Sequence, residues 1–204
     1  MKKTKVFCIG FHKTGTSSLG VALGKLGYSV VGFYPFRHLA AQEHVDLKDI
    51  ENLALEEAAK HDAAQDSPWP ILYRQMDEAF PGSKFIHITR DRDAWINSAL
   101  KDFGKNPNAM RKLIYGAPFP KGNEDIWLER YDQHNEDVQS YFADRPTDFI
   151  SLDLEKGEVS WDNICPFLGE AAPDIPWPHA NKRSTKKRKM KFYKVLDKLG
   201  LKRP

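Results

Sequence analysis

Apolar and polar positions along this chain fall into blocks that call for strands and helices in turn. Val6-Phe7-Cys8-Ile9 is an unbroken apolar run, which suits a parallel strand covered on both faces. Gly10 ends it, and Leu19, Ala22, Leu23 and Leu26 then recur at helical spacing up to Gly27. Tyr28 to Gly32 reads as a second strand, completing a strand-helix-strand unit whose crossover is right-handed. Residues 33–43 read as a loop, and Leu47 to Lys60 as a helix. His61 to Asp66 is a short strand emptying into the turn Ser67-Pro68-Trp69-Pro70. Ile71 to Phe80 is helical, Lys84 to Thr89 a strand and Asp93 to Phe103 a helix. Residues 104–123 contain Pro107, Gly116, Pro118 and Pro120 and read as an ordered loop or lid. A long amphipathic helix spans Glu124 to Phe142, a strand Phe149 to Leu152, and a short helix Trp161 to Leu168 with Pro166 as a breaking point. The alternation predicts an α/β fold, a three-layer sandwich with a mostly parallel central sheet.

The turn between the first strand and helix carries the densest chemistry. Lys13, Thr14, Gly15, Thr16, Ser17 and Ser18 follow Phe11 and His12 and open directly onto a helix N-terminus. Unpaired backbone N–H groups and the positive end of the helix dipole make such a start an anion site. Gly15 lets the backbone approach a ligand, Lys13 adds a full charge, and the hydroxyls add donors. A plain strand-turn-helix with a Ser or Thr cap would need none of the lysine and glycine. Gly10 to Gly15 has the glycine spacing of the ATP- and GTP-binding loop, but Thr16 stands where its lysine belongs. That argues against a standard nucleoside triphosphatase.

With its lysine inside the loop, GFHKTGTSSL resembles the 5′-phosphosulfate loop of sulfotransferases that use 3′-phosphoadenosine 5′-phosphosulfate (PAPS). Lys13, Gly15, Thr16, Ser17 and Leu19 match its pattern. A second block, Ile86-His87-Ile88-Thr89-Arg90-Asp91 followed by Trp95 and Ser98, resembles the family's 3′-phosphate element, a strand ending in Arg with a Ser eight residues on. The resemblance implies a P-loop-like nucleotide-binding fold, in-line sulfuryl transfer to a hydroxyl or amine, and 3′-phosphoadenosine 5′-phosphate (PAP) as product. It makes Lys13 the residue that follows charge on the leaving oxygen, Thr14 to Ser18 the 5′-phosphate cradle, and Arg90 with Ser98 the 3′-phosphate anchor. A late loop should close over the nucleotide, and Pro178-His179-Ala180-Asn181-Lys182-Arg183 is similar to a segment of bacterial-type members. Asn181, Lys182 and Arg183 are its candidate ligands.

The acceptor needs a base, and no motif places one. Asp66, in Asp66-Ser67-Pro68 just past a strand and at the sheet edge that carries Lys13, ranks first, and His12 within the loop second. Glu43 and His44 are further candidates, though such residues are more often structural. Trp69 and Tyr73 could line an acceptor pocket, but a core role is the better expectation for aromatics at these places. The acceptor is expected to be a carbohydrate or small metabolite.

Composition refines this picture at few points. The 204 residues suit one domain, 1–204, with 178–204 a basic C-terminal loop and helix. Net charge is only +3, so no nucleic-acid partner is expected. The excess is local: eight Lys or Arg fall between Lys182 and Lys194, and residues 186–199 can form a basic helix able to touch a membrane surface or raise the potential for PAPS. No apolar run approaches ~18 residues, so no transmembrane segment is expected. The opening MKKTKVFCIGF is too short in its apolar part for a signal peptide, which implies a cytoplasmic protein. Cys8 and Cys165 have neither disulfide nor metal spacing, and no metal is called for. Two other readings remain: a P-loop small-molecule kinase, and a non-catalytic nucleotide- or polyanion-binding module.

Overall fold

The computed structural model describes residues 3–180. Asn181, Lys182, Arg183 and the basic helix expected at 186–199 lie outside the described residues. Five strands form one sheet: β1 (Val6–Cys8), β2 (Val30–Val31), β3 (Ala63–Ala64), β4 (Lys84–Thr89) and β5 (Phe149–Asp153). Their order is β2-β3-β1-β4-β5 and every pairing is parallel. The expected α/β sandwich is therefore present, with a wholly parallel sheet.

Side-chain alternation along β1 divides the core. Val6 and Cys8 pack with Leu19 and Leu23 of α1 (Thr16–Lys25) and Ile164 of α8 (Trp161–Leu168). Phe7 and Ile9 point into the larger cluster on the other face. That layer holds α2 (Arg37–Ala40), α3 (Leu47–Lys60), α4 (Tyr73–Ala79), α5 (Arg92–Phe103), α6 (Ala109–Tyr115) and α7 (Glu124–Tyr141). The chain leaving β1 thus crosses one face while the chains leaving β3 and β4 cross the other. A crevice opens over the carboxyl end of β1, where ligands of such sheets sit. Among the described residues no helix is long and apolar enough to cross a membrane.

Four segments differ from their sequence expectation. Residues 104–123 are not a continuous loop, because α6 interrupts them. The Asn108 side chain accepts from Arg111 N at 2.9 Å, and Gly116 closes the helix at φ 81°. The punctuating residues mark the ends of a short helix rather than its absence. Residues 33–43 likewise hold a 3₁₀ turn, Tyr34–Phe36, and then α2. The helix expected from Ile71 begins as a 3₁₀ turn, Trp69–Leu72, and becomes α-helical at Tyr73. Pro166 does not end α8, which runs on to Leu168.

Candidate active site

The phosphate loop leaves β1 under tight steric control. A Cβ on Gly10 would lie 2.7 Å from the Ile88 carbonyl oxygen and 2.9 Å from Thr14 Oγ1, so only glycine fits there. Thr14 is wholly buried and its hydroxyl donates to the Phe11 carbonyl at 2.8 Å, pinning the turn from inside. Gly15 caps α1 at φ 103°, with no side-chain cap. Ser18 and Leu19 return their N–H groups to the Gly15 carbonyl at 2.9 and 3.1 Å. The N–H groups of Thr16 and Ser17 have no earlier helical carbonyl to reach and remain for an anion. Lys13, Gly15, Thr16, Ser17 and Ser18 all line one cleft of about 510 Å³.

Arg90 and Ser98 line the same cleft, from β4's end and from α5. Arg90 does not pair with Asp93. Its Nε donates to Glu155 Oε1 at 3.0 Å and its Nη1 to the Lys13 carbonyl at 3.1 Å, which ties the two motif blocks together. Tyr131 clamps its backbone, accepting from Arg90 N at 2.8 Å and donating to Arg90 O at 2.7 Å. Asp91 caps α5 by accepting from Ala94 N at 2.8 Å. A second hollow of about 500 Å³ adjoins Arg90 and Ser98 and adds Asn97 and Lys101. The sequence analysis singled out neither, though Lys101, three residues beyond Ser98, falls on its helix face. At the far wall, His179 lines the cleft and Ala180 N–H donates to Ser18 Oγ at 3.1 Å. The late segment thus reaches the loop one residue before Asn181.

The third wall holds both base candidates. His12 Nε2 lies 3.1 Å from Asp66 Oδ1 and 2.6 Å from Ser67 Oγ, while its Nδ1 lies 2.6 Å from the Tyr115 hydroxyl. Burial lowers the His12 pKa, opposed chiefly by Asp66. Asp66 Oδ1 also accepts from Ser67 N at 2.9 Å. Lys13 Nζ rests on Asp102 Oδ2 at 2.7 Å. Among the described residues the non-glycine positions with positive φ are Lys13, at 72°, and Asp66, at 74°. Backbone strain of this kind gathers where surroundings over-determine a functional geometry. Trp69 and Tyr73 are buried in the core instead. Glu43 and His44 line a separate hollow of about 290 Å³ with Val45 and Lys112, away from the loop.

A loop with free helix-N-terminal N–H groups, a second cationic residue and an acid-histidine pair thus line one crevice of an α/β protein, a class of site suited to anions. The family comparison agrees with this class: residues 5–186 match the model described as the sulfotransferase domain, and the chain belongs to that family. It is 26% identical to the Ava biosynthesis cluster protein M of Aspergillus versicolor, over 86% of this chain and 80% of that protein. Among solved structures it is similar to a mouse sulfotransferase, SULT7A1, complexed with PAP, at a TM-score of 0.47 and 15% identity. That match covers 85% of this chain, which spans 60% of the mouse chain. It also resembles the shikimate kinase of Bacteroides thetaiotaomicron, at a TM-score of 0.42 and 15% identity over 73% of this chain and 85% of that one.

Proposed function

We propose that this sulfotransferase takes its sulfuryl group from PAPS, releases PAP, and transfers to a hydroxyl of a carbohydrate or small metabolite. One observation carries the reading. The Lys13–Ser18 loop and the Arg90–Ser98 anchor face one cleft and are joined by the Arg90–Lys13 carbonyl bond of 3.1 Å. A nucleotide with phosphate groups at two positions needs two anion sites at a fixed separation, whereas a single phosphate loop serves any nucleotide. In this reading Thr16 and Ser17 hold the 5′-phosphate with their N–H groups and Thr16, Ser17 and Ser18 with their hydroxyls, Thr14 acts only by shaping the turn, and Lys101 and Asn97 extend the 3′-phosphate anchor. Asn181, Lys182 and Arg183 continue the segment that meets Ser18 and would close over the nucleotide. The whole chain, 1–204, then works as one domain. The unpaired, buried thiols of Cys8 and Cys165 suit a reducing, cytoplasmic setting.

The chemistry follows from the walls. The acceptor oxygen attacks sulfur as the bond from sulfur to the bridging phosphate oxygen breaks in line. Lys13 neutralises the charge growing on that bridging oxygen, which requires it to leave Asp102 for the donor. The acceptor's proton passes to Asp66 Oδ2, which receives no hydrogen bond among the described residues. His12 has both ring nitrogens committed to neighbours, so it supports Asp66 rather than replacing it. Calorimetry with PAP and with ATP plus magnesium tests the donor. PAP should bind without metal, and binding should weaken at least tenfold in Lys13→Ala and Arg90→Ala. ATP binding in the absence of PAP binding would point to a kinase and sink the reading.

A further inference from the structure

Tyr115 has no place in the sequence motifs, yet it touches the reaction wall. It ends α6 and is fully buried, stacked on Trp127 at 4.0 Å between ring centroids and edge-on to Phe11 at 4.9 Å. Its hydroxyl lies 2.6 Å from His12 Nδ1. A phenol has one proton. The acceptor that the described residues offer it is His12 Nδ1, so that proton points at the ring, which must then be unprotonated there. Burial and the nearby Asp66 carboxylate raise the phenol's pKa well above its usual value, so the proton stays in place. The ring proton of neutral His12 is left on Nε2, facing Ser67 Oγ at 2.6 Å and Asp66 Oδ1 at 3.1 Å. The opposite tautomer leaves the phenol proton buried without an acceptor. It also sets the Nε2 lone pair against a carboxylate oxygen. Counting donors decides between the two.

We propose that Tyr115 is a positioning residue for sulfuryl transfer: it locks His12 as the Nε2–H tautomer, and His12 in turn holds Asp66 Oδ1 so that Oδ2 faces the acceptor. The inference rests on Asp66 as the acceptor-side base. It gives α6 a function, since that helix delivers the phenol to a histidine 103 positions away in sequence. The charged groups around the imidazole are Asp66 and Asp102 on one side of the balance and Lys13 and Arg111 on the other. None of them donates to Nδ1, so the phenol is the group that addresses that nitrogen, while Asp66 favours a proton on Nε2.

Nitrogen NMR of the full chain, with histidine labelled at both ring nitrogens and His12 assigned from His12→Gln, reads the tautomer without any acceptor. Wild type should show a protonated Nε2 and a bare Nδ1. Tyr115→Phe keeps the stacking on Trp127 and removes only the donor to Nδ1, so the Nδ1–H form, opposed then by Asp66 alone, should become detectable beside Nε2–H. Sulfate release from PAPS with water as acceptor should fall about tenfold in that variant, a fraction of the 100- to 10,000-fold that a positioned base contributes. PAP affinity should stay within about twofold, since Tyr115 lies off the donor's side of the cleft. An Nδ1–H tautomer in the wild type overturns the proposal. So does Tyr115→Phe with an unchanged tautomer or unchanged sulfate release. Full sulfate release in Asp66→Asn would instead remove the base on which it rests, and absent PAP binding in the wild type would remove the donor; both are visible apart from the tautomer.

Discussion

Lys13 and Asp66 sit at the two strained backbone positions of the site, and each carries a charge whose partner can be changed by mutation. Asp102 holds Lys13 at 2.7 Å, an ion pair with side chains 18% and 29% exposed. At that exposure the pair is worth under about 1 kcal/mol after screening. Asp102→Asn should therefore tighten PAP binding by no more than about fivefold, because the lysine no longer has to exchange partners. Calorimetry at low and high salt checks this, and weaker binding in the variant would show that Asp102 orients Lys13 rather than competing for it. On the acceptor side, Asp66→Asn should lower sulfuryl transfer about 100-fold or more while PAP affinity holds. His12→Gln offers an amide that accepts from Tyr115 and donates to Asp66, so it should keep far more activity than His12→Ala. Equal loss in the two His12 variants would mark the imidazole itself as the base.

The elements around the site differ in how openly the sequence declares them. Loop and helix α1 are local, and their glycines have separate physical reasons. Gly10→Ala would push a methyl to 2.7 Å from the Ile88 carbonyl, a backbone atom that cannot swing aside, and should cost about 1–3 kcal/mol. Gly15→Ala meets only Leu154 Cδ1 at 3.4 Å, so its penalty comes from φ 103° and amounts to about 1–2 kcal/mol, with PAP binding lost as the first turn of α1 reshapes. Thermal unfolding with and without PAP separates the two: the first should lower Tm in both states, the second should chiefly abolish the shift on adding PAP. β1, α1, β4 and the Arg90–Ser98 pair were legible because strand, turn chemistry and helix follow one another within about twenty residues. Helix α6 was not, since Pro107 and Gly116 read as breakers of the whole segment rather than its ends. Tyr115, Asp102 and Glu155 were invisible for a different reason: each meets its partner across a sequence separation of 65 to 103 positions that only the packed sheet closes. Strand order likewise depends on long-range pairing that no local pattern encodes.

At the scale of the whole molecule, the core beneath the site contains two buried histidines that set its acid limit. His87 is fully buried with Nε2 donating to Asn135 Oδ1 at 3.0 Å, and its pKa is pushed down to about 4 by burial. His134 stacks on Phe11 with centroids 4.0 Å apart and donates from Nε2 to the Ile9 carbonyl at 2.8 Å; burial pushes its pKa down to about 3. Their rings are 5.8 Å apart, so a proton on one also disfavours a proton on the other. Unfolded, each titrates near 6.5. Folded values below unfolded ones mean that the unfolded chain binds more protons on acidification. The stability is therefore fully present above pH 6.5 and is lost as pH falls towards 4 and 3. At pH 5 the loss is about 2 kcal/mol per histidine, or about 4 kcal/mol together. The carboxylates held low by their partners, Asp77 by Arg145, Asp62 by Ser29 and Glu170 by Lys3, release their share only at more acidic pH. Urea unfolding at pH 7.5 and 5.0 should show this drop, and His87→Leu should remove about half of it. A flat stability across that interval would contradict the buried neutral pair. Because Ile9 is the residue just before Gly10, the Nε2–H bond of His134 steadies the entry to the phosphate loop; protonation keeps that bond and instead sets a buried charge against Phe11 and His87, so acid should loosen the whole core rather than the loop alone.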